Sequence, residues 1–274
     1  MTDGKAQGEA SDDATPKRKD GMDRRKFLKI AGIGAGAVAV LALGSGYLMN
    51  KIIPASQDPR LRGSSAQSWV MLIALQKCDG CGACTLACQK AHYVPFNQQW
   101  IQVYTVTDDT GGTYHLPRPC FMCRNAPCAK VCPVGATYVD PDGIVLVDQT
   151  RCIGCRYCMA ACPYNARSFN WLQPSYPPEA LAHPYSPEDP YPVGKGVAMK
   201  CVFCAAMVRK GTLPECTRGC PMGAIYFGNE YDDAVTNSKG ETIPFRSTLQ
   251  TQGGFRWKEE LGTDPRVYYL PARR

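Results

Sequence analysis

The sequence predicts an α+β fold of short strands and short helices, organised by cross-links or metal rather than by a large apolar core. Three observations predict it. Sixteen of the 274 residues are cysteine, and they fall into four groups of four. Short apolar, strand-like runs are interleaved with those groups. The 26 glycines and 22 prolines leave little chain for long regular elements. Cysteine at this density signals disulfides or bound metal, and a chain this rich in loops needs staples.

Taken in order, residues 1–21 are polar and are expected to be a disordered leader. Residues 22–50 carry Asp23-Arg24-Arg25-Lys26-Phe27-Leu28-Lys29 and then a weakly apolar, glycine-rich stretch from Ile30 to Leu43. A basic segment before an apolar one is an export signal, predicted as an N-terminal signal helix. The Arg24-Arg25 pair resembles the twin-arginine type, which carries folded proteins. That route suits a cofactor inserted before export, and it predicts the periplasmic or extracytoplasmic face of the membrane. No Ala-x-Ala cleavage site follows. Ile30 to Met49 matches the ~20 residues of a membrane span, so an uncleaved anchor is the lesser alternative, weakened by the glycines.

Residues 51–68 read as a linker containing Pro54, Pro59 and Gly63-Ser64-Ser65. Trp69 to Leu75 is an apolar run expected as a buried strand feeding the first cysteine group, and Ile101 to Thr107 alternates as a second strand. Asp142-Gly143 before Ile144-Val145-Leu146-Val147 signals a turn and strand, placing a hairpin between the second and third groups. Residues 173–196 hold Pro174, Pro177, Pro178, Pro184, Pro187, Pro190 and Pro192, and are expected as an irregular insertion rather than core. The main domain is thus expected over residues 69–230. Residues 231–274 lack cysteine and read as a C-terminal tail with a strand-like Val267-Tyr268-Tyr269-Leu270, a candidate for partner contact.

The cysteine groups carry the chemistry. They are Cys78, Cys81, Cys84 and Cys88; Cys120, Cys123, Cys128 and Cys132; Cys152, Cys155, Cys158 and Cys162; and Cys201, Cys204, Cys216 and Cys220. The first and third have the full C-x2-C-x2-C-x3-C spacing of cubane iron–sulfur proteins. Three cysteines at this interval let one tight loop wrap a [4Fe–4S] cluster. The fourth begins a segment that points to the neighbouring cluster. Proline follows Cys132, Cys162 and Cys220, where a helix start tolerates it, and Gln89 follows Cys88. Gly80, Gly82 and Gly154 permit close backbone approach.

Zinc sites of four cysteines use C-x2-C pairs separated by a longer loop. Only the fourth group fits that form. A disulfide framework suits an exported chain but has no reason to repeat cubane spacing. The alternative reading is therefore a metal- or disulfide-stapled interaction module without redox role. The cysteine groups are also the internal repeat, and they predict two nested ferredoxin-like modules with irregular insertions. The second and third groups would form the inner module, and the first and fourth would close around it.

The formal charge of +7 does not point to nucleic acid. Basic residues are scattered, without a stripe or aromatic platform. Four clusters of about −2 each would turn the body mildly acidic. No C-x-x-C-H haem site, dinucleotide fingerprint or P-loop is present. His92, His115 and His183 form no catalytic set and are expected at the surface or in hydrogen bonds. Arg118, Arg124, Arg151, Arg156, Lys200 and Arg218 lie near cluster cysteines in sequence, as candidates for raising a potential or meeting a partner.

Roughly residues 69–228 resemble the four-cluster electron-transfer subunits of molybdopterin and polysulfide-reductase-like membrane oxidoreductases. Beyond the cysteines, the resemblance rests on Asp142-Gly143-Ile144-Val145, Arg151 to Cys158, Cys162-Pro163-Tyr164 and Lys200-Cys201-Val202-Phe203-Cys204. It implies that Cys78, Cys81 and Cys84 share a cluster with Cys220, and that Cys201, Cys204 and Cys216 share one with Cys88. It further pairs Cys120, Cys123 and Cys128 with Cys162, and Cys152, Cys155 and Cys158 with Cys132. It implies four [4Fe–4S] clusters and an electron-transfer subunit that is not an enzyme on its own. The partners it implies are a polysulfide-reductase-like quinone-binding integral membrane subunit and a molybdopterin catalytic subunit or multihaem cytochrome c.

Overall fold

The computed structural model describes residues 67–107 and 111–272. The export signal with Arg24 and Arg25, and nearly all of the 51–68 linker, lie outside the described residues.

The expected first strand forms as β1, Trp69–Ala74, and is buried along almost its whole length. A single 3-10 turn, Leu75–Lys77, ends it and delivers the chain to Cys78. A strand buried on both faces reads as a continuous apolar run, and β1 is central: β8 (Ile225–Asn229) pairs with it antiparallel on one side. On the other side β11 (Val267–Leu270) pairs with it in parallel. The sheet continues through β9 (Ala234–Thr236) to β10 (Thr242–Pro244), giving the order β10-β9-β8-β1-β11. The strand before the first cysteine group is therefore bonded to the strand after the last.

Among the described residues three two-stranded ribbons complete the strands. The strand read over Ile101–Thr107 is β2 (Gln102–Thr107), paired with β3 (Thr113–Arg118). The hairpin between the second and third cysteine groups is β4 (Thr137–Val139) with β5 (Val145–Val147). β6 (Ser168–Phe169) pairs with β7 (Ala198–Met199), so the 173–196 segment is a loop inserted within a ribbon.

Helices are short. Among the described residues the longest is α1, Ala83–Ala91. One-turn helices follow: α2 (Pro127–Lys130), α3 (Tyr157–Ala160), α4 (Pro178–Leu181), α5 (Ala205–Val208) and α6 (Glu215–Arg218). The last helix is α7, Phe245–Gln252. No helix among the described residues is long and apolar enough to cross a membrane.

Two expectations are corrected. Residues 231–274 are not a tail: they contribute β9, β10, α7 and β11, and Val267 and Tyr269 are fully buried. The apolar alternation at the chain end serves the central sheet. The proline-rich 173–196 segment is irregular apart from α4, yet Ala180 and Val193 are buried and Val193 belongs to the main core.

Candidate metal centres

All 16 cysteines are free thiols, so disulfides do not staple the fold. Twelve of them converge on three pockets. Cys78, Cys81, Cys84 and Cys220 line one, with Val103, Pro117 and Ile225. Cys88, Cys201, Cys204 and Cys216 line the second, with Met71, Trp100, Ile101 and Phe203. Cys120, Cys123, Cys128 and Cys162 line the third, with Phe121, Val145 and Tyr164. In each pocket three cysteines come from one group and the fourth from another.

Helix packing produces this exchange. α1 packs against α6, and a Cβ at Gly219 would stand 2.6 Å from the Ala87 Cβ, so only glycine permits the approach. Cys84 and Cys88, four residues apart on α1, lie on one helix face. Cys88 turns to the cysteines around α6, while Cys220 just beyond α6 returns to the Cys78 loop. α2 and α3 pack in the same manner, and Cys162 beyond α3 reaches the pocket of α2.

The remaining four cysteines are differently placed. Burial raises the Cys158 thiol, and Cys128 and Cys152 are close enough to add to that. Cys155 is exposed on the loop between them, as Cys81 is in the first group. Cys132 Sγ accepts from the Thr137 N–H at 3.4 Å. None of these four lines any of the three pockets above.

The donor sets fit [4Fe–4S] cores. Each pocket offers four thiols in an otherwise largely apolar wall, the ligand set of cubane clusters. Among the described residues no three His, Cys, Asp or Glu side chains close on a point as a single metal ion requires. A tetrahedral zinc at Zn–S distances of about 2.3 Å needs such closure. Burial pushes Cys84 and Cys201 up to about 11, and Cys123 and Cys204 up to about 12. Thiols held this high ionise at neutral pH only against a cation, so loading these pockets releases protons. Cys132 is the exception. Burial raises it, but backbone N–H groups of Thr137, Val134, Ala136 and Gly135 outweigh that and lower it.

Backbone donors reach other ligand sulfurs as well. Phe203 N–H points at Cys201 Sγ (3.4 Å), Glu215 N–H at Cys204 Sγ (3.4 Å) and Ala224 N–H at Cys220 Sγ (3.3 Å). Such bonds favour the thiolate and tune its metal. Gly80, at φ +78°, lets the Cys78 loop turn beneath the His115 ring, which a Cβ there would meet at 2.5 Å.

Of the charged residues singled out by sequence, Lys200 is buried among the cysteines, only 1% exposed, bonding the Cys201 carbonyl at 2.6 Å. Arg118 donates to the Tyr164 carbonyl and Arg151 to that of Val134. Arg124 pairs with Glu230 and Asp264, and Arg218 with Glu215. Arg156 stacks on Phe169 and Trp171 beside the exposed Cys155. One functional candidate escaped the sequence reading. Arg167 is fully enclosed beside Cys128, Cys158 and Cys120; burial opposes its charge, but those thiols hold the guanidinium above the ordinary arginine range. Its distance of five residues from Cys162 was the available signal. His92, expected at the surface or in hydrogen bonds, is hydrogen-bonded and buried, with Nε2 3.0 Å from Cys204 Sγ. Burial lowers its pKa, so the ring is neutral, and the tautomer decides whether Nε2 donates to that sulfur or accepts from its thiol.

Comparison with known proteins agrees with this chemistry. Two families described as 4Fe–4S dicluster domains match, one over residues 112–176 and the other over residues 77–136 and 151–224. A protein of Halobacterium salinarum, provisionally named as an iron–sulfur subunit of dimethyl sulfoxide reductase, is 42% identical over 73% of this chain and 78% of its own. A selenate reductase subunit of Mesobacillus selenatarsenatis is 34% identical over 93% of this chain and 99% of its own. The menaquinone reductase iron–sulfur cluster-binding subunit of Nitratidesulfovibrio vulgaris is 37% identical over 75% and 89%. With its cysteine tetrads, its buried pockets and these relatives, the chain belongs to the [4Fe–4S]-binding electron-transfer subunits of oxidoreductase complexes.

Proposed function

We propose that this chain carries electrons one at a time through four [4Fe–4S] clusters, between a quinone-binding membrane subunit of the polysulfide-reductase type and a molybdopterin catalytic subunit or a multihaem cytochrome c. The observation that carries the reading is the convergence of twelve cysteines, drawn from all four groups, on three buried pockets of four. Cys152, Cys155, Cys158 and Cys132 would hold the fourth cluster. When bound, each cluster supplies one-electron redox chemistry. With every iron on a cysteine, no position is left for substrate, so the chain relays rather than transforms. Its own residues bind the clusters, exclude water and place donors on the ligand sulfurs.

Pairing of β1 with β8 supports the nested arrangement, since it ties the beginning of the first group to the end of the fourth. The relatives' names support a quinone-linked setting: one is a menaquinone reductase subunit, and a polysulfide reductase component of Wolinella succinogenes is 32% identical over 76% of this chain. The Arg24-Arg25 signal supports folded export to the periplasmic side.

Iron and acid-labile sulfide per chain, with EPR of the reduced protein, test the reading. About 16 irons with interacting S = 1/2 signals are expected. Zinc in place of iron would sink it. Replacing Arg24 and Arg25 by lysine tests localisation: the folded, iron-loaded chain is expected to stay in the cytoplasm.

A further inference from the structure

Several arginines face carboxylates. Arg124, Arg209 and Arg256 each pair with at least two acids at the protein surface. Three buried cations make no ion pair among the described residues; Arg266 donates to the Asp142 carbonyl and has Glu230, Asp142 and Asp264 near it, whereas Lys200 and Arg167 lie against cysteines. Lys200 is 1% exposed; its Nζ bonds the Cys201 carbonyl at 2.6 Å, the Val145 carbonyl, and the Met122 Sδ at 3.6 Å. Three acceptors match the three N–H groups of an ammonium. Arg167 is 6% exposed; its Nη1 donates to Thr137 Oγ1 at 3.2 Å, and the remaining side-chain partners of its buried guanidinium are the thiols of Cys128 and Cys158. Among the described residues neither Lys200 nor Arg167 has a carboxylate partner. An isolated buried charge is strongly unfavourable unless an opposite charge stands close.

The positions of the two cations name that charge. Lys200 precedes Cys201 of one pocket and touches Met122, which lies between Cys120 and Cys123 of the next. Arg167 lines that same Cys120 pocket and also neighbours Cys158. Its Thr137 partner directs a backbone N–H to Cys132 Sγ. The pocket of Cys120, Cys123, Cys128 and Cys162 therefore has a buried cation on each side, one at each junction with a neighbouring cysteine set. The Cys78 pocket has no such neighbour among the described residues: its lining charge is Asp79.

Building on the four-cluster reading, we propose that Lys200 and Arg167 are the counter-charges of the cluster held by Cys120, Cys123, Cys128 and Cys162, and that together they raise its reduction potential. A reduced [4Fe–4S] core on four thiolates carries one more negative charge than the oxidised core. A fixed cation in a low-dielectric interior therefore favours reduction. These are positioning charges rather than catalytic residues.

The test is an anaerobic EPR-monitored redox titration of the full chain, with iron and sulfide counted on every sample. Cys123→Ser identifies which signal belongs to the cluster in question. Lys200→Met and Arg167→Gln are each expected to lower the midpoint of that cluster. The expected shift is at least a tenfold change in its reduced-to-oxidised ratio at fixed ambient potential, which is 59 mV for one electron. Arg167→Lys keeps the charge and is expected to keep the midpoint. Unchanged midpoints in both neutral variants at full iron content would overturn the proposal. If a neutral variant loses the cluster, Arg167→Lys decides. Retention of iron there supports a required charge, and loss of iron there shows that shape is what matters and overturns it. A wild-type iron count other than four clusters fails the four-cluster reading itself, which is a separate result.

Discussion

At the scale of single residues, the surroundings of each sulfur matter as much as the sulfur. His92 stacks against Trp100, with ring centroids 5.5 Å apart, and sets its Nε2 on Cys204 Sγ. A hydrogen bond to a ligand sulfur stabilises the more negative, reduced cluster. His92→Phe keeps the stacking and removes the hydrogen bond. It is expected to leave iron content intact and lower one midpoint in a redox titration; an unchanged midpoint would show that the ring only fills space. Gly80→Ala places a methyl 2.5 Å from the His115 ring at a backbone φ of +78°. Strain of this kind is worth about 1–3 kcal/mol. The expected outcome is a lower thermal midpoint for the loss of cluster absorbance.

At the scale of elements, the chain's last strand does the work that a longer apolar core would do elsewhere. β11 closes one edge of the sheet beside β1, and Tyr269 is fully enclosed there. Its ring stacks on Phe255 at 5.7 Å, and its hydroxyl donates to the Pro117 carbonyl at 2.9 Å. Deleting a buried aromatic costs about 3–5 kcal/mol, whereas the hydroxyl alone is worth about 1 kcal/mol. Tyr269→Ala is therefore expected to yield a chain that loses iron on mild heating, and Tyr269→Phe one close to the parent. Equal behaviour of the two variants would argue against packing as the role of this strand. α1 and α6 act differently: their close approach at Gly219 sorts Cys88 and Cys220 into each other's pockets.

For the whole molecule, the cross-group ligation has a direct signature. Cys81→Ala and Cys220→Ala lie 139 residues apart in sequence but line one pocket. Both are expected to alter the same EPR signal, whereas Cys81→Ala and Cys88→Ala alter different ones. Sharing of a signal by Cys81 and Cys88 would break the proposed pairing. Cluster binding is also folding energy, because the pockets draw thiols, most of them buried, from four separate segments. Stripping iron with a chelator under reducing, anaerobic conditions is expected to abolish near-UV circular dichroism. Persistence of that signal would show that the polypeptide packs without its clusters.

The cofactor class, the α+β character, β1, the strand around Ile101 and the hairpin after Asp142-Gly143 were legible in the sequence by itself. Each depends on neighbours in the chain: ligand spacing within a tight loop, an apolar run, or a turn pair. The sharing of pockets between groups entered from resemblance, since spacing alone does not say which distant cysteine meets which. Tertiary structure decided what depends on distant segments. It built residues 231–274 into the central sheet, because parallel pairing of β11 with β1 leaves no local periodic mark beyond four apolar residues. It placed Arg167 and His92 against cysteines, because a lone basic residue carries no sign of its burial until the fold closes around it.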